Sequence, residues 1–321
     1  MATSGIYNYS RTLNQIASEA LELIEAVGDG ETLSGNHIEK AKASLNSLLK
    51  EMQTLGLNLW TDTEATLFLA VGQASYDLTA TATHSANTYY ETTTTAATSA
   101  GATSFLATSV TNIQDGDIIG IIQNDNDLFW TTVNGTPSGL TVNLDDAITL
   151  ASLSGAVVYN YRPSTSTAPA LIPISRVINV RRKEGTDYET PIRFESRSSY
   201  FNQPNKTQTG TPIQAYYSRQ DRAGESAGTM YVWNTPSSSV PVINFTYERK
   251  VQVMVNTTDT LDLPDYAHEY VIYNLAERLI LKFGCGAERA QLIFAGAKKT
   301  KDAILAYGTE MYPIQISLAR S

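Results

Sequence analysis

Clustered side-chain oxygens give this chain its clearest opening for chemistry. Gln114-Asp115-Gly116-Asp117 and Asn124-Asp125-Asn126-Asp127 bracket the run Ile118-Ile119-Gly120-Ile121-Ile122. Calcium takes about six to eight oxygens, and an EF-hand loop supplies them from alternating Asp/Asn positions, a sixth-position glycine and a terminal glutamate. From Asp125 the chain runs on as Leu128-Phe129-Trp130, with neither that glycine nor that glutamate in place. Counting from Asp115 puts isoleucines where ligands should stand. Asx and glycine residues also build tight turns. A turn, a buried strand and a second turn are therefore expected, and no metal site.

The remaining chemistry-bearing residues do not converge. His37, His84 and His268 lie in separate segments, and His268-Glu269 lacks the second histidine of a zinc-binding helix. His268 is expected to serve as a capping or interface residue. Gly296-Ala-Lys-Lys-Thr300 has the ending of a phosphate loop without its upstream glycine or preceding strand. Lys298, Lys299 and Lys301 read as a solvated helix face, with a phosphate contact as the alternative. No Gly-x-Ser-x-Gly elbow is present. Asp145 and Asp146 are adjacent, so on a strand they would point to opposite faces and could not share a substrate. No catalytic residue and no cofactor is assigned, and the chain is not expected to be an enzyme.

Bulk properties narrow the setting. The 321 residues carry a net charge of −9, which argues against gripping nucleic-acid phosphates through the average surface. Charged residues make up 17%, against a typical ~25%. That depletion suits β-structure covered by neutral polar side chains, or large surfaces buried against other subunits. Cys285 is the sole cysteine, so no intramolecular disulfide forms. The start, MATSGIYNYS, has no basic residue followed by an apolar run, and no apolar stretch approaches membrane-spanning length. Folding in a cytoplasm and no membrane contact are expected.

Periodicity sets out the elements. Leu13, Ile16, Ala17, Ala20, Leu21, Ile24 and Val27 form one helical stripe, with Gly28-Asp-Gly30 as its stop. A second helix starts near Asn36, with Glu39 completing a capping-box variant, and carries Ile38, Ala41, Leu45, Leu48, Leu49, Met52 and Leu55. The two stripes are expected to face each other as a helical hairpin. Short Thr-rich strands follow from Tyr76 to Tyr161, then a Ser/Thr/Pro linker from Pro163 to Pro173, then alternating strands to about Asp262. Leu263-Pro264-Asp265 opens a third long helix, Gly284-Cys-Gly286 breaks it, and a fourth runs from Glu288 to Leu305. The expected fold is α+β. A helical bundle is built from the N- and C-terminal helices, beside an antiparallel β region and an inserted small all-β sandwich or barrel. The expected division is 1–77 for the helical hairpin and first strand, 78–170 for the inserted β-domain, 171–262 for the core β region, and 263–321 for the C-terminal helices and tail.

The order of several motifs carries a family resemblance. The helical hairpin ends in LNSLLKEMQTLGLNLW. Arg193-Phe-Glu-Ser-Arg-Ser-Ser-Tyr200, Gly210-Thr-Pro212-Ile-Gln-Ala-Tyr-Tyr217 and Met230-Tyr-Val-Trp233-Asn-Thr-Pro236 follow. Phe245-Thr-Tyr-Glu-Arg249 and LDLPDYAHEYVIYNLAERLILKFG close the series. This order resembles the head-to-tail adaptors of short-tailed bacteriophages, the tail accessory factor or tail tubular protein A type. The likeness covers the helical ends and residues 171–262, while the stretch from 78 to 170 departs from the short members.

The resemblance implies a virion protein at the portal vertex, assembled in the host cytoplasm as a homo-oligomeric ring, usually of twelve subunits. It implies contacts with the portal protein and with a tail nozzle or tail tube. Tail fibres dock on the outer face in some relatives, and double-stranded DNA passes through the channel without specific binding. The C-terminal residues Tyr312, Ile314, Ile316 and Leu318 alternate, and are expected to contact the portal or a neighbouring subunit as an added strand. An alternative class is a tail-associated carbohydrate- or receptor-binding protein, acting through Tyr89, Tyr90, Trp130, Tyr159 and Tyr161 of the β insertion. The competing reading of those aromatics is a sandwich core.

Overall fold

The computed structural model describes residues 9–55, 61–79, 84–165, 168–185, 188–219 and 228–307. Their α-helices are α1 (Leu13–Leu23), α2 (Gly35–Thr54), α3 (Arg197–Phe201), α4 (His268–Phe283) and α5 (Ala287–Tyr307). The chain divides into two compact units, Met1–Thr61 with Val251–Ser321, and Asp62–Lys250.

In the first unit, local chemistry sets the helix ends. Thr12 opens α1 through a capping box: its hydroxyl accepts from the Gln15 N–H, and the Gln15 side chain accepts from the Thr12 N–H. The helix stops before the expected Gly28, because Ile24 ends it and Glu25 turns the chain at φ 58°. Ser34, not Asn36, caps α2 by accepting from the His37 N–H. Leu13, Ile16, Leu21, Leu45, Leu48 and Met52 are buried in one core with Val271, Leu275 and Leu279 of α4. α4 packs against α1, α2 and α5.

The expected α+β fold with a bundle of terminal helices is overturned. Among the described residues the protein is mostly β, with 31% strand against 27% helix. Two physical reasons stand out. The Thr-, Tyr- and Val-rich stretch between the helical ends forms several sheets joined by turns and loops. The terminal helices take only a minority of the described residues, with α1 already ended at Ile24, and do not make the bundle expected from the N- and C-terminal helices.

The second unit is built on two facing sheets. One is antiparallel and five-stranded, in the order Tyr188–Pro191, Ile174–Glu184, Val242–Arg249, Asp62–Phe68, Ser85–Ala86. The other runs Arg193–Phe194, Gln214–Ser218, Gly228–Trp233, Ser75–Leu78. Leu67, Val180, Ile243 and Phe245 from the first share a buried core with Tyr76, Ala215, Met230 and Val232 from the second. Alternation along each strand makes this possible, since every second residue points to one face.

Residues 90–161 form a further β layer. Its four-stranded sheet runs Tyr90–Thr93, Val157–Tyr161, Ile118–Ile122, Leu128–Thr132, and a two-stranded sheet pairs Ser104–Leu106 with Thr141–Asn143. Phe105, Ile119, Ile121, Val142 and Val158 make its own core. A separate aromatic cluster joins this layer to the five-stranded sheet. Phe68 stacks on Tyr161 with ring centroids 5.8 Å apart and meets Trp130 edge-on at 5.2 Å. Such pairs contribute roughly 0.5–1.5 kcal/mol each beyond area burial.

Candidate functional site

The Asx-rich stretch resolves into a hairpin with each carboxylate engaged separately. The strands Ile118–Ile122 and Leu128–Thr132 pair antiparallel, from Ile118 opposite Thr132 to Ile122 opposite Leu128. The turn between them places Asn126 at φ 62°, a conformation Asn tolerates better than most residues. Gly116 supplies φ 78° for the preceding Asp-Gly turn. Asp115 accepts from the Gly135 N–H at 2.7 Å, and Asp125 from the Asp127 N–H at 3.1 Å.

Asp117 is buried. Its carboxylate accepts from the Gln114 N–H at 2.8 Å and from Asn160 Nδ2 at 3.0 Å, and pairs with Arg162 at 3.1 Å. Burial raises its pKa, opposed by the Gln114 N–H, the Arg162 guanidinium and the Asn160 amide.

Asp127 ties the hairpin to the sandwich. Its Oδ1 accepts from the Val71 N–H at 3.0 Å, from the Leu128 N–H at 2.9 Å and from the Ser239 hydroxyl at 2.5 Å. The Ser239 N–H donates to the Asn126 carbonyl at 2.8 Å. Both Val71 and Ser239 lie far from this turn in sequence, so the stretch acts as a clasp between distant segments. Among the described residues, no group of three or more His, Cys, Asp or Glu is placed to hold a metal ion. No described helix is long and apolar enough to cross a membrane.

The other sequence candidates are also dispersed. Asp145 and Asp146 bind the hydroxyls of Thr132 and Thr131 respectively. His268 begins α4, buried, with its ring 5.7 Å from that of Tyr9. Lys298 and Lys301 line a cavity of about 420 Å³ with Glu51, Glu277 and Arg278, a surface of mixed charge. Of the five aromatics expected on a binding face, Tyr159 and Tyr161 are buried, Tyr89 and Trp130 are half-buried, and Tyr90 is exposed. Tyr312, Ile314, Ile316 and Leu318 lie outside the described residues.

The terminal helices hold a feature that sequence reading missed. α5 buries Ile293, Ala297 and Ile304 but leaves Leu292 72% exposed and Phe294 46% exposed. Leu281 on α4 is 92% exposed. Phe294 lines the separate cavity that holds Lys298 and Lys301, while a cavity of about 780 Å³ opens beside Leu292, lined also by Leu23, Tyr273, Arg289 and Ile293. Arg289 is anchored at its edge, donating to the Leu23 carbonyl at 2.6 Å and pairing with Glu25. The signal was present in the sequence as three consecutive apolar residues, Leu292, Ile293 and Phe294, inside the helix expected from Glu288 to Leu305, since such a run puts apolar side chains on more than one helix face.

No protein-family model matches the chain, and no curated protein matches it. Among solved structures it has a slight likeness to "Gp54 tailspike of Acinetobacter baumannii bacteriophage AP22 in complex with A. baumannii capsular saccharide". Identity is 18% and the TM-score is 0.20, over 23% of this chain and 15% of that one. A likeness so slight and partial carries no conclusion about fold or function.

Proposed function

We propose that the chain is a structural virion protein, a head-to-tail adaptor. It forms a homo-oligomeric ring that joins the portal to the tail nozzle or tube and lines part of the DNA channel. The observation that carries this reading is the apolar surplus on α4 and α5. Leu281, Leu292 and Phe294 stay exposed where a self-sufficient helix pair would present polar groups. Exposed apolar side chains on these helices support a contact with another subunit. The motif order between Arg193 and Arg249 gives that assembly its class, and the net charge of −9 suits a wall past which phosphates slide without sticking.

Mass measurement on the purified chain, alone and with portal assemblies, tests the reading. The expected result is a monomer or weak oligomer alone and a ring on the portal. Leu292→Asp with Phe294→Asp should leave the fold intact and prevent the ring. A stable trimer that binds glycans without portal overturns the proposal.

A further inference from the structure

One Asn-Gly pair occurs in the chain, Asn134-Gly135. It follows the strand Leu128–Thr132 of the β layer, where Gly135 takes φ 74°, a conformation that favours glycine. Asn-Gly is the pair at which a peptide most readily attacks itself. With no Cβ on the second residue, the Gly135 nitrogen meets little obstruction on its way to Asn134 Cγ, the side-chain carbonyl carbon. The Asn134 side chain is exposed, and among the described residues nothing bonds its amide.

The nitrogen, by contrast, is held. The Gly135 N–H donates to the Asp115 carboxylate at 2.7 Å. Two further bonds fix where that carboxylate stands. The Gly116 N–H donates to the Val133 carbonyl, and the Val133 N–H donates to the Asp117 carbonyl, each at 2.9 Å. Residues 115–117 are thereby clamped against Val133, whose side chain is buried in the core of the layer. On the other side of the pair, the Asn134 N–H donates to the Asn143 carbonyl at 3.0 Å.

We infer that Asn134 is a site of deamidation through a succinimide, and that Asp115 restrains the reaction. The step needs only the chain and water. The Gly135 nitrogen gives its proton to hydroxide or buffer base and forms a bond to Asn134 Cγ. The Cγ–Nδ2 bond breaks, and the departing nitrogen takes a proton from water and leaves as ammonia. A second water opens the five-membered ring to aspartate or isoaspartate. Asp115 opposes the first event in two ways. Its hydrogen bond must break before the nitrogen can turn toward Cγ, and its negative charge disfavours the amide anion. The isoaspartate product adds one carbon to the main chain between the Asn143 and Asp115 contacts. The inference does not rest on the adaptor reading, because every group involved lies within one copy of the layer.

Ageing the full chain in neutral buffer, with peptide mapping by mass, tests it. A synthetic peptide spanning residues 130–139 sets the unrestrained rate, and the wild type should be slower. Asp115→Ala changes an exposed side chain, and unchanged melting curves will verify its fold. It should deamidate at Asn134 about tenfold faster than the wild type, which corresponds to ~1.4 kcal/mol. Asp115→Asn keeps an acceptor without the charge and should fall between. Adding Asn134→Gln to Asp115→Ala should abolish the mass gain. Amide exchange separates restraint of one nitrogen from loosening of the turn: Asp115→Ala should speed exchange at Gly135 and leave Val133 protected. A wild type as fast as the peptide, an unchanged rate in Asp115→Ala, or a mass gain that survives Asn134→Gln overturns the inference. So does an Asp115→Ala protein in which Val133 loses protection with Gly135, because Asp115 then holds the turn and not the nitrogen.

Discussion

Gly120 lies directly against the indole of Trp130, its cross-strand partner. A Cβ placed on Gly120 would stand 2.7 Å from Trp130 Cζ3. Trp130 in turn meets Phe68 and Tyr161, which holds the ring over the glycine. A strand-interior glycine usually weakens a strand, so its presence between isoleucines reflects this close approach.

Gly120→Ala should therefore destabilise the protein by roughly 1–3 kcal/mol, the usual cost of overpacking a filled core. Thermal melting of Gly120→Ala alone and with Trp130→Ala measures the coupling. The alanine at 120 should cost much less once the indole is gone. Equal costs in both backgrounds would show that the ring is not the cause.

Removing the Asp127 carboxylate tests the clasp. Asp127→Ala leaves the buried Ser239 hydroxyl and the Val71 N–H without their acceptor. Losing hydrogen bonds to a charged group costs about 1.5–3 kcal/mol. The melting temperature should fall by the same amount in calcium and in chelator. Wild-type stabilisation by calcium that vanishes in the variant would reinstate the metal reading of this stretch.

The contrast between these two sites explains what the sequence made legible. The stripes of α1 and α2 could be read because each contact repeats every three or four residues along one segment. The hairpin could be read because Asp-Gly and the Asn-Asp cluster are local turn chemistry. The partner of Asp127, Ser239, could not be read, because nothing local records a hydrogen bond across 112 residues. Nor did periodicity reveal that Phe68, the last residue of its strand, would gather Tyr159, Tyr161 and Trp130 around it. The α+β bundle failed for a related reason. Helical stripes show that helices form, but not how they pack or how much of the chain the sheets take.

Acidification should destabilise the protein through its histidines. Burial lowers the pKa of His268, helped by Arg11 and opposed by Asp265. Burial likewise lowers that of His84, opposed by Asp127. Each folded value lies below the unfolded one, near ~6.5. The stabilisation is complete above that value and is lost as pH falls through it toward the folded value, because the unfolded chain then binds more protons. Asp117 has a raised pKa and acts in the opposite sense: its contribution is present below the usual carboxylate value and is lost as pH rises through the raised one. Between about pH 7.5 and 6 the histidines should therefore dominate. Melting temperatures across that window should fall for the wild type and fall less steeply for His84→Gln and His268→Gln. An unchanged slope in both variants rejects this assignment.

Gly296 sets helix propensity against packing. It lies within α5, where alanine would normally gain about 0.8–1.0 kcal/mol over glycine. A Cβ at that position, however, would stand 2.5 Å from Tyr273 Cε1 and 2.6 Å from Cδ1 on α4. The glycine lets α5 approach α4 closely enough to bury Ile293 and Ala297 on either side of it. Gly296→Ala should thus destabilise despite its propensity, by roughly 1–3 kcal/mol less the propensity gain. In a Tyr273→Ala background the same substitution should become stabilising, because only the propensity term remains. Chemical denaturation of the four proteins in this cycle reads the sign directly. If Gly296→Ala stabilises the wild type, the tyrosine ring yields at little cost and the close approach of α4 and α5 does not depend on the glycine.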